Sequence, residues 1–216
     1  MNGLVTGPGV VVFGGTFDPV HRGHVDAARD ARLALGIADF RLLPAGDPPH
    51  RSHTGAPAED RLAMLALAIK GEEGLGIDRS ELDRPGPSYM VDTLTALRPE
   101  AGEHPLVLVV GQDAANGLDQ WHRWTELLHL AHLVVVTRPG EQPRYAGTLA
   151  QVLDEARVAD PQALQRAPAG YTLDLPIAEN DISSTELRAR LRAGEDVSAW
   201  LSEGVRAHIR RRGLYR

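Results

Sequence analysis

The stretch "VVVFGGTFDPVHRGH", residues 10–24, decides the fold of this chain. It begins with a continuous apolar run, passes through two glycines and a proline, and ends with two histidines three positions apart. A continuous apolar run is typical of a parallel strand whose two faces are both covered. Because a turn and then a helical pattern follow at once, the stretch predicts a strand, a loop and the start of a helix.

The same pattern recurs along the chain. Two further buried strands are predicted at "LVLVV" (106–110) and "LVVV" (133–136), and weaker candidates lie at 40–45, 74–78 and 171–177. Amphipathic segments lie between them, including predicted helices at 145–157 and 198–212. Strands that alternate with helices predict right-handed βαβ units, and hence an α/β fold with a doubly wound, mostly parallel sheet.

The length of 216 residues suits one domain. We expect a single domain over residues 1–216, in which residues 182–216 form a small C-terminal helical segment. In doubly wound sheets, ligands bind beyond the carboxyl ends of the strands. The loops that directly follow the apolar runs are therefore the candidate site.

Composition excludes several classes of protein. The formal net charge of −6 argues against a general nucleic-acid-binding surface, and no apolar run reaches membrane-spanning length. The chain has no cysteine, so disulfides and thiolate zinc sites are excluded. The first residues lack the basic flank and long apolar stretch of a signal peptide. We expect a cytoplasmic monomer or small homo-oligomer without nucleic-acid or membrane partners.

The loop after the first strand has the chemistry of an anion site. Gly14 and Gly15 allow the backbone to approach a bulky anion and to adopt torsions closed to other residues. A helix that begins near His21 directs its free N–H groups and the positive end of its dipole toward the crevice. His21 and His24 share one face of the first helical turn, where they can donate hydrogen bonds to phosphate oxygens or carry charge.

A metal site, a P-loop and a dinucleotide-binding turn all fit this loop less well. A metal site lacks a third ligand at sensible spacing, and no Gly-Lys-Ser/Thr follows as in a P-loop. The glycine spacing also differs from the dinucleotide-binding fingerprint. What remains, Gly-x-Phe-x-Pro-x-His-x-Gly-His, resembles the signature of the nucleotidylyltransferase superfamily with the HxGH motif. The resemblance implies a Rossmann-like fold, catalytic roles for His21 and His24, and an ATP-phosphate site formed with Gly14, Gly15, Thr16 and Phe17.

A second phosphate segment lies near the other end of the chain, in "ISSTELR" (182–188). Its serines are good helix N-caps, and Arg188 falls one turn further along the same face. Hydroxyls, free N–H groups and a guanidinium converge there, which suits a polyphosphate. The segment matches the ISSTxxR motif of the same superfamily. That match implies that ATP phosphates are bound by Ile182, Ser183, Ser184, Thr185 and Arg188, with Arg188 also catalytic.

The remaining loops resemble those of the bacterial nicotinate-nucleotide adenylyltransferases. The segments that carry the resemblance are "PAGDPPHR" (44–51), "ELDRPGPSYMVDTL" (81–94), "GQDAANGLDQWHRWTEL" (111–127), "VVVTRPG" (134–140) and "VRAHIRRRGLY" (205–215). The substrate-binding residues that it implies are His50, Arg51, Ser88, Tyr89, Met90, Asp92, Asp113, Trp121 and His122. Trp121 would stack on the nicotinate ring, whereas Trp124 better fits a core position. The family usually has threonine where this chain has Met90, so only the backbone N–H of Met90 is expected to act.

The resemblance implies an enzyme that transfers AMP from ATP to nicotinate mononucleotide, giving deamido-NAD and pyrophosphate in NAD biosynthesis. The attacking phosphate oxygen is already ionised, so catalysis needs positioning and charge stabilisation rather than a strong base. Mg²⁺ is expected to arrive with ATP and to be held mainly by phosphates and water, without a protein metal site. Alternatives are nicotinamide mononucleotide or phosphopantetheine as the acceptor, or a non-catalytic nucleotide-binding regulator.

Overall fold

The computed structural model describes residues 7–46, 55–138, 140, 142–177 and 182–216. Within these residues, one sheet is formed by the strands β1 (Gly7–Gly15), β2 (Ile37–Pro44), β3 (Leu75–Ile77), β4 (Leu106–Gly111), β5 (His132–Thr137) and β6 (Thr172–Pro176). The strand order is β3-β2-β1-β4-β5-β6, and every neighbouring pair is parallel. The predicted doubly wound α/β fold is therefore confirmed, with a sheet that is parallel throughout the described strands.

Helices connect the strands. They are α1 (Arg22–Leu35), α2 (Ala58–Ala68), α3 (Ser80–Asp83), α4 (Met90–Ala101), α5 (Gln112–Ala115), α6 (Leu127–Leu130), α7 (Gly147–Glu155), α8 (Ser184–Arg192) and α9 (Glu203–Arg212). Short 3-10 turns lie at Leu118–Gln120, Trp124–Glu126 and Pro161–Arg166. No helix in the described part of the chain is long and apolar enough to cross a membrane.

Two predicted helix boundaries need correction. The helix predicted at 198–212 begins only at Glu203, because the Ser202 hydroxyl accepts a hydrogen bond from the Val205 N–H and caps the helix there. The helix predicted at 145–157 is shorter, spanning Gly147–Glu155. By contrast, α1 ends as expected at Gly36, whose φ of 59° is the left-handed conformation that favours glycine.

The continuous apolar run of β1 is explained by packing on both faces of the sheet. Val11 and Phe13 join the hydrophobic cluster that contains buried residues of α1, α2 and α9, whereas Val10 and Val12 join the cluster of α4 and α7. All four side chains are buried. Since successive residues of a strand point to opposite faces, a strand covered twice needs apolar residues at every position.

The strand order places a crevice next to β1. β1 pairs with β2 on one side and with β4 on the other, so the connection that follows β1 and the connection that follows β4 run in opposite directions. This reversal of strand order is where ligands bind in doubly wound sheets. The loops after β1 and β4 therefore face a common opening.

Candidate active site

A cleft lies at the carboxyl ends of the central strands, bounded by the β1–α1 loop and by the N-terminal ends of α4 and α8. The structure brings most of the residues predicted from the two motifs and the substrate loops to this one cleft. Those that line it are Gly14, Gly15, Thr16, Phe17, His21, His24, Ser88, Tyr89, Met90, Asp113, Trp121, His122, Ser183, Ser184, Thr185 and Arg188.

A few predicted residues are placed differently. The side chain of Ile182 is buried in the hydrophobic core, so only its backbone is available to a ligand. Asp92 is exposed, and its carboxylate lies 3.7 Å from the guanidinium of Arg123 rather than lining the cleft. His50 and Arg51 lie outside the described residues.

The two histidines of the first motif lie against each other at the start of α1. His21 is the N-cap residue, and its ring centroid is 3.8 Å from that of His24. The backbone N–H of His21 donates to Nδ1 of His24 over 3.3 Å, so the proton of a neutral His24 is on Nε2. The Nδ1 atom of His21 is buried and has no hydrogen-bond partner among the described residues. Both histidines line the cleft, where a ligand can reach them.

Both imidazoles are uncharged at neutral pH in this structure. Burial lowers the pKa of His21 to about 3, and the positive charge of Arg138 contributes to that lowering. Burial also lowers the pKa of His24 well below its usual range, with smaller contributions from His21 and Arg138. The histidines thus meet an incoming phosphate as neutral N–H donors.

The role expected of the two glycines is partly wrong. Neither Gly14 nor Gly15 has a positive φ; the left-handed residue of this loop is Phe17, with φ of 50°. Space matters instead: it excludes a side chain at Gly15 and leaves little room for one at Gly14. A Cβ on Gly15 would lie 2.8 Å from the ring of Phe17, and one on Gly14 would lie 3.3 Å from the Met90 side chain. The loop is compact because Phe17 folds back over the end of β1.

The second motif docks directly onto the first. Ser183 caps α8 by accepting a hydrogen bond from the Glu186 N–H over 3.1 Å. The Ser184 hydroxyl donates to the Pro19 carbonyl oxygen over 3.1 Å. Arg188 donates to the Asp18 carbonyl oxygen over 2.6 Å and to the Thr185 hydroxyl over 3.1 Å. Two segments some 165 residues apart are thereby joined into one surface that carries hydroxyl, N–H and guanidinium groups.

The opposite side of the cleft is aromatic. The rings of Tyr89 and His122 are 4.4 Å apart at a tilt of 40°, and Trp121 lies beside them at the cleft. The hydroxyl of Ser88 donates to the Glu81 carbonyl oxygen over 3.2 Å. Ser88 therefore contributes mainly to the shape of the turn, whereas the first N–H groups of α4 remain available at the N-terminus of that helix. Trp124 packs against the core and does not line the cleft.

Several cleft residues were not singled out from the sequence. Arg138 and Gln112 follow β5 and β4 directly, so their position at strand ends was a usable signal. Asp18 lies inside the first motif. Arg61, which contacts the cleft loops without lining the cleft, gave no signal, because it reads as a polar residue of an ordinary helix. It is 1% exposed, and its guanidinium donates to the carbonyl oxygens of Thr16 over 2.9 Å and of Gly46 over 3.1 Å.

The donors at the cleft suit phosphates better than a bare metal ion. They are imidazole and backbone N–H groups, hydroxyls and a guanidinium, which favour anions. Within the described ranges, no three histidine, aspartate or glutamate side chains are grouped as metal ligands would be.

Comparison with known proteins identifies the family. Residues 12–190 match the model of the cytidylyltransferase-like family. A probable nicotinate-nucleotide adenylyltransferase of Aeromonas hydrophila is 45% identical over 97% of this chain and 98% of its own length, and one of Methylococcus capsulatus is 43% identical over 94% and 98%.

A solved structure gives the same fold independently. The nicotinic acid mononucleotide adenylyltransferase of Plasmodium falciparum, complexed with NaAD, superposes with a TM-score of 0.69. The superposition covers 97% of this chain and 98% of the Plasmodium chain. Because the two sequences are only 14% identical, this likeness concerns the fold alone. Together with the near full-length relatives, the two joined motifs lead to one conclusion. The chain belongs to the cytidylyltransferase-like family and, within it, to the nicotinate-nucleotide adenylyltransferases.

Proposed function

We propose that this chain transfers AMP from ATP to nicotinate mononucleotide, giving deamido-NAD and pyrophosphate. The observation that carries the proposal is the junction of the two motifs, in which Arg188 and Ser184 of α8 donate to the backbone of the loop that holds His21 and His24. In this scheme residues 182–216 belong to the same nucleotidylyltransferase domain as the sheet. The 43–45% identity to proteins named for this reaction supports the choice of acceptor.

The arrangement suits an in-line displacement at the α-phosphorus. The 5′-phosphate oxygen of the acceptor forms the new P–O bond while the bond to the bridging oxygen of pyrophosphate breaks, and no proton need be removed from the nucleophile. His21 and His24 would donate hydrogen bonds to the α-phosphate as charge develops on it, and Arg188 with Thr185 would hold the β/γ end. Gly14, Gly15, Thr16 and Phe17 would shape the turn beneath the triphosphate.

The aromatic side of the cleft would receive the nicotinate mononucleotide. Trp121 would stack on the pyridine ring, since a half-buried indole that lines a polar cleft favours aromatic ligands. The N–H groups at the start of α4, with the His122 backbone, would bind the carboxylate. Asp113 would accept hydrogen bonds from ribose hydroxyls. We also propose that His50 and Arg51 bind the mononucleotide phosphate and that Asp92 contributes to acceptor binding, although its side chain pairs with Arg123 here.

Mg²⁺ would enter as part of the ATP complex. The donor set at the cleft matches phosphate oxygens, and such an ion keeps most of its coordination from phosphates and water. When bound, it would neutralise charge on the departing pyrophosphate. The residues of this chain would bind the nucleotide part of the complex, and we assign no protein ligand to the ion.

The test is pyrophosphate release measured with MgATP and three acceptors in parallel: nicotinate mononucleotide, nicotinamide mononucleotide and phosphopantetheine. The proposal expects the highest kcat/KM with the nicotinate compound. Preference for either other acceptor would overturn the assigned substrate while keeping the chemistry. Tight binding of ATP in calorimetry without pyrophosphate release from any acceptor would instead indicate a nucleotide-binding regulator.

A further inference from the structure

Asp18 is a junction between four separate segments of the chain. Its Oδ1 accepts a hydrogen bond from the Tyr215 hydroxyl over 2.6 Å, and its Oδ2 accepts one from the Gly55 N–H over 2.5 Å. Its carbonyl oxygen accepts the hydrogen bond from Arg188 over 2.6 Å. Asp18 is only 4% exposed, so these contacts form in the interior of the protein. It therefore connects the first motif to α8, to the segment before α2 and to the C-terminal tail.

The tail is bent so that Tyr215 reaches this junction. α9 ends at Gly213, and the chain then turns back to bury the ring of Tyr215. Tyr215 has φ of 60°, a left-handed conformation that is uncommon for a residue with a large side chain. Burial and the neighbouring Asp18 raise the pKa of its hydroxyl, so the hydroxyl remains a hydrogen-bond donor at every working pH. Tyr215 adopts this conformation with its ring buried and its hydroxyl bonded to Asp18.

The same Asp18 carboxylate that accepts the Tyr215 hydrogen bond lies close to Arg188. Nη1 of Arg188 is 3.9 Å from Oδ2 of Asp18, too far for a hydrogen bond, and bonds the carbonyl oxygen of that residue instead. Both carboxylate oxygens already have donors from Tyr215 and Gly55. If the Tyr215 donor were lost, the carboxylate would be free to rotate toward the guanidinium and to form a closer ion pair. Such a pair would compete directly with a phosphate for the same guanidinium.

We propose that Tyr215 is a positioning residue for the triphosphate: by occupying Oδ1 of Asp18, it keeps the Asp18 carboxylate from pairing closely with Arg188. The guanidinium is then available to the β/γ end of ATP. The inference rests on the proposed function, in which Arg188 binds that end. It assigns a role in the reaction to the penultimate residue of the chain, 197 positions away from Asp18.

The first test replaces Tyr215 by phenylalanine, which keeps the ring and removes only the hydroxyl. The Kd for ATP measured by calorimetry should rise about tenfold. The reason is that Arg188 would pair with Asp18 and lose one charge-assisted hydrogen bond to a phosphate. The KM for ATP should rise in step, whereas the KM for nicotinate mononucleotide should stay within twofold. Tyr171→Phe is the matched control, because the Tyr171 ring stacks on His132 and lies outside the cleft. It should bind ATP as the parent protein does.

A double-mutant cycle with Asp18→Asn separates this role from general loosening of the fold. Without the Asp18 charge no competing ion pair can form, so adding Tyr215→Phe to Asp18→Asn should change ATP affinity less than twofold. Unchanged ATP affinity in Tyr215→Phe, or the same loss with and without Asp18, would overturn the inference. An equal rise in both KM values with a lower Tm would also overturn it. If the parent protein binds ATP but releases no pyrophosphate, the proposed function fails while the affinity cycle still tests Tyr215.

Discussion

Lowering the pH from 7 to 5 should destabilise the folded chain through His21. Burial lowers the pKa of this imidazole from 6.5 to about 3 in the native state. Below pH 6.5 the imidazole binds a proton in the unfolded chain, whereas in the native chain it binds one only near pH 3. The contribution of the neutral His21 to the free energy of unfolding is therefore complete above pH 6.5 and is lost as the pH falls from 6.5 toward 3. Between pH 7 and pH 5 the linkage amounts to about 2 kcal/mol for this one residue.

Urea denaturation at the two pH values measures this loss. The parent protein and His21→Asn should show different falls in the free energy of unfolding between pH 7 and pH 5, with the variant losing about 2 kcal/mol less. Other titrating groups, including the buried His132 whose pKa is also lowered by burial, are present in both proteins and cancel in the difference. The pKa of His24 is lowered partly by the charge of His21, so the difference belongs to the pair.

The control is a histidine that stays in water on folding. His104 is exposed, so His104→Asn should lose stability between pH 7 and pH 5 as the parent does. If His21→Asn loses as much stability as the parent and the control, the imidazole is not held neutral by burial. The description of the histidine pair as neutral donors would then be refuted.

Three substitutions and one binding measurement give four further tests. His24→Ala should lower kcat by about 100-fold or more in the pyrophosphate assay with little change in Tm, because it removes a donor to the developing charge. Trp121→Ala should raise the KM for nicotinate mononucleotide about tenfold, the worth of one ring stack, and leave the KM for ATP unchanged; a fall in Tm alone would instead indicate a core role. Arg61→Met should lower the free energy of unfolding by about 3 kcal/mol and Tm by about 10 °C in thermal denaturation, since two buried carbonyl oxygens lose a charged donor. ATP binding should be measured by calorimetry at pH 6.5 in two buffers of different ionisation enthalpy. We expect net proton uptake, because bound phosphates would raise the pKa of the two histidines. If His21→Asn takes up as many protons as the parent protein, the uptake does not come from the histidines.

The parts of the fold that follow from neighbouring residues were predictable. The run at residues 10–13 shows in four letters that both faces of β1 are covered, and Gly36 marks the end of α1. The two phosphate motifs are also local, because a helix start with hydroxyls or imidazoles has a recognisable spacing. Their meeting at one cleft follows from the rule that ligands bind at the carboxyl ends of parallel strands.

The parts that depend on distant contacts were not predictable. Arg61 looks like a solvated residue of an amphipathic helix, yet its guanidinium is buried against the carbonyl oxygens of two cleft loops. The motif that contains Ile182 predicts that this residue lies in the phosphate site, but its side chain is buried in the hydrophobic core. The left-handed torsion of the first loop falls on Phe17 rather than on a glycine, because the ring packs over Gly15. These positions depend on contacts between distant parts of the chain, and no residue spacing in the sequence indicates them.

In the proposed reaction, the neutral histidines and the arginines would have different roles in binding a triphosphate. A protonated pair of imidazoles, buried 3.8 Å apart beside Arg138, would repel one another in the empty protein and would cost stability. Keeping them neutral avoids that cost until an anion arrives. Arg188, docked on the Asp18 backbone, would supply a positive charge that is already in place before the ligand binds. The negative charge of the bound phosphates would then favour protonation of the imidazoles. Positive charge next to the α-phosphate would therefore develop only when ATP is bound.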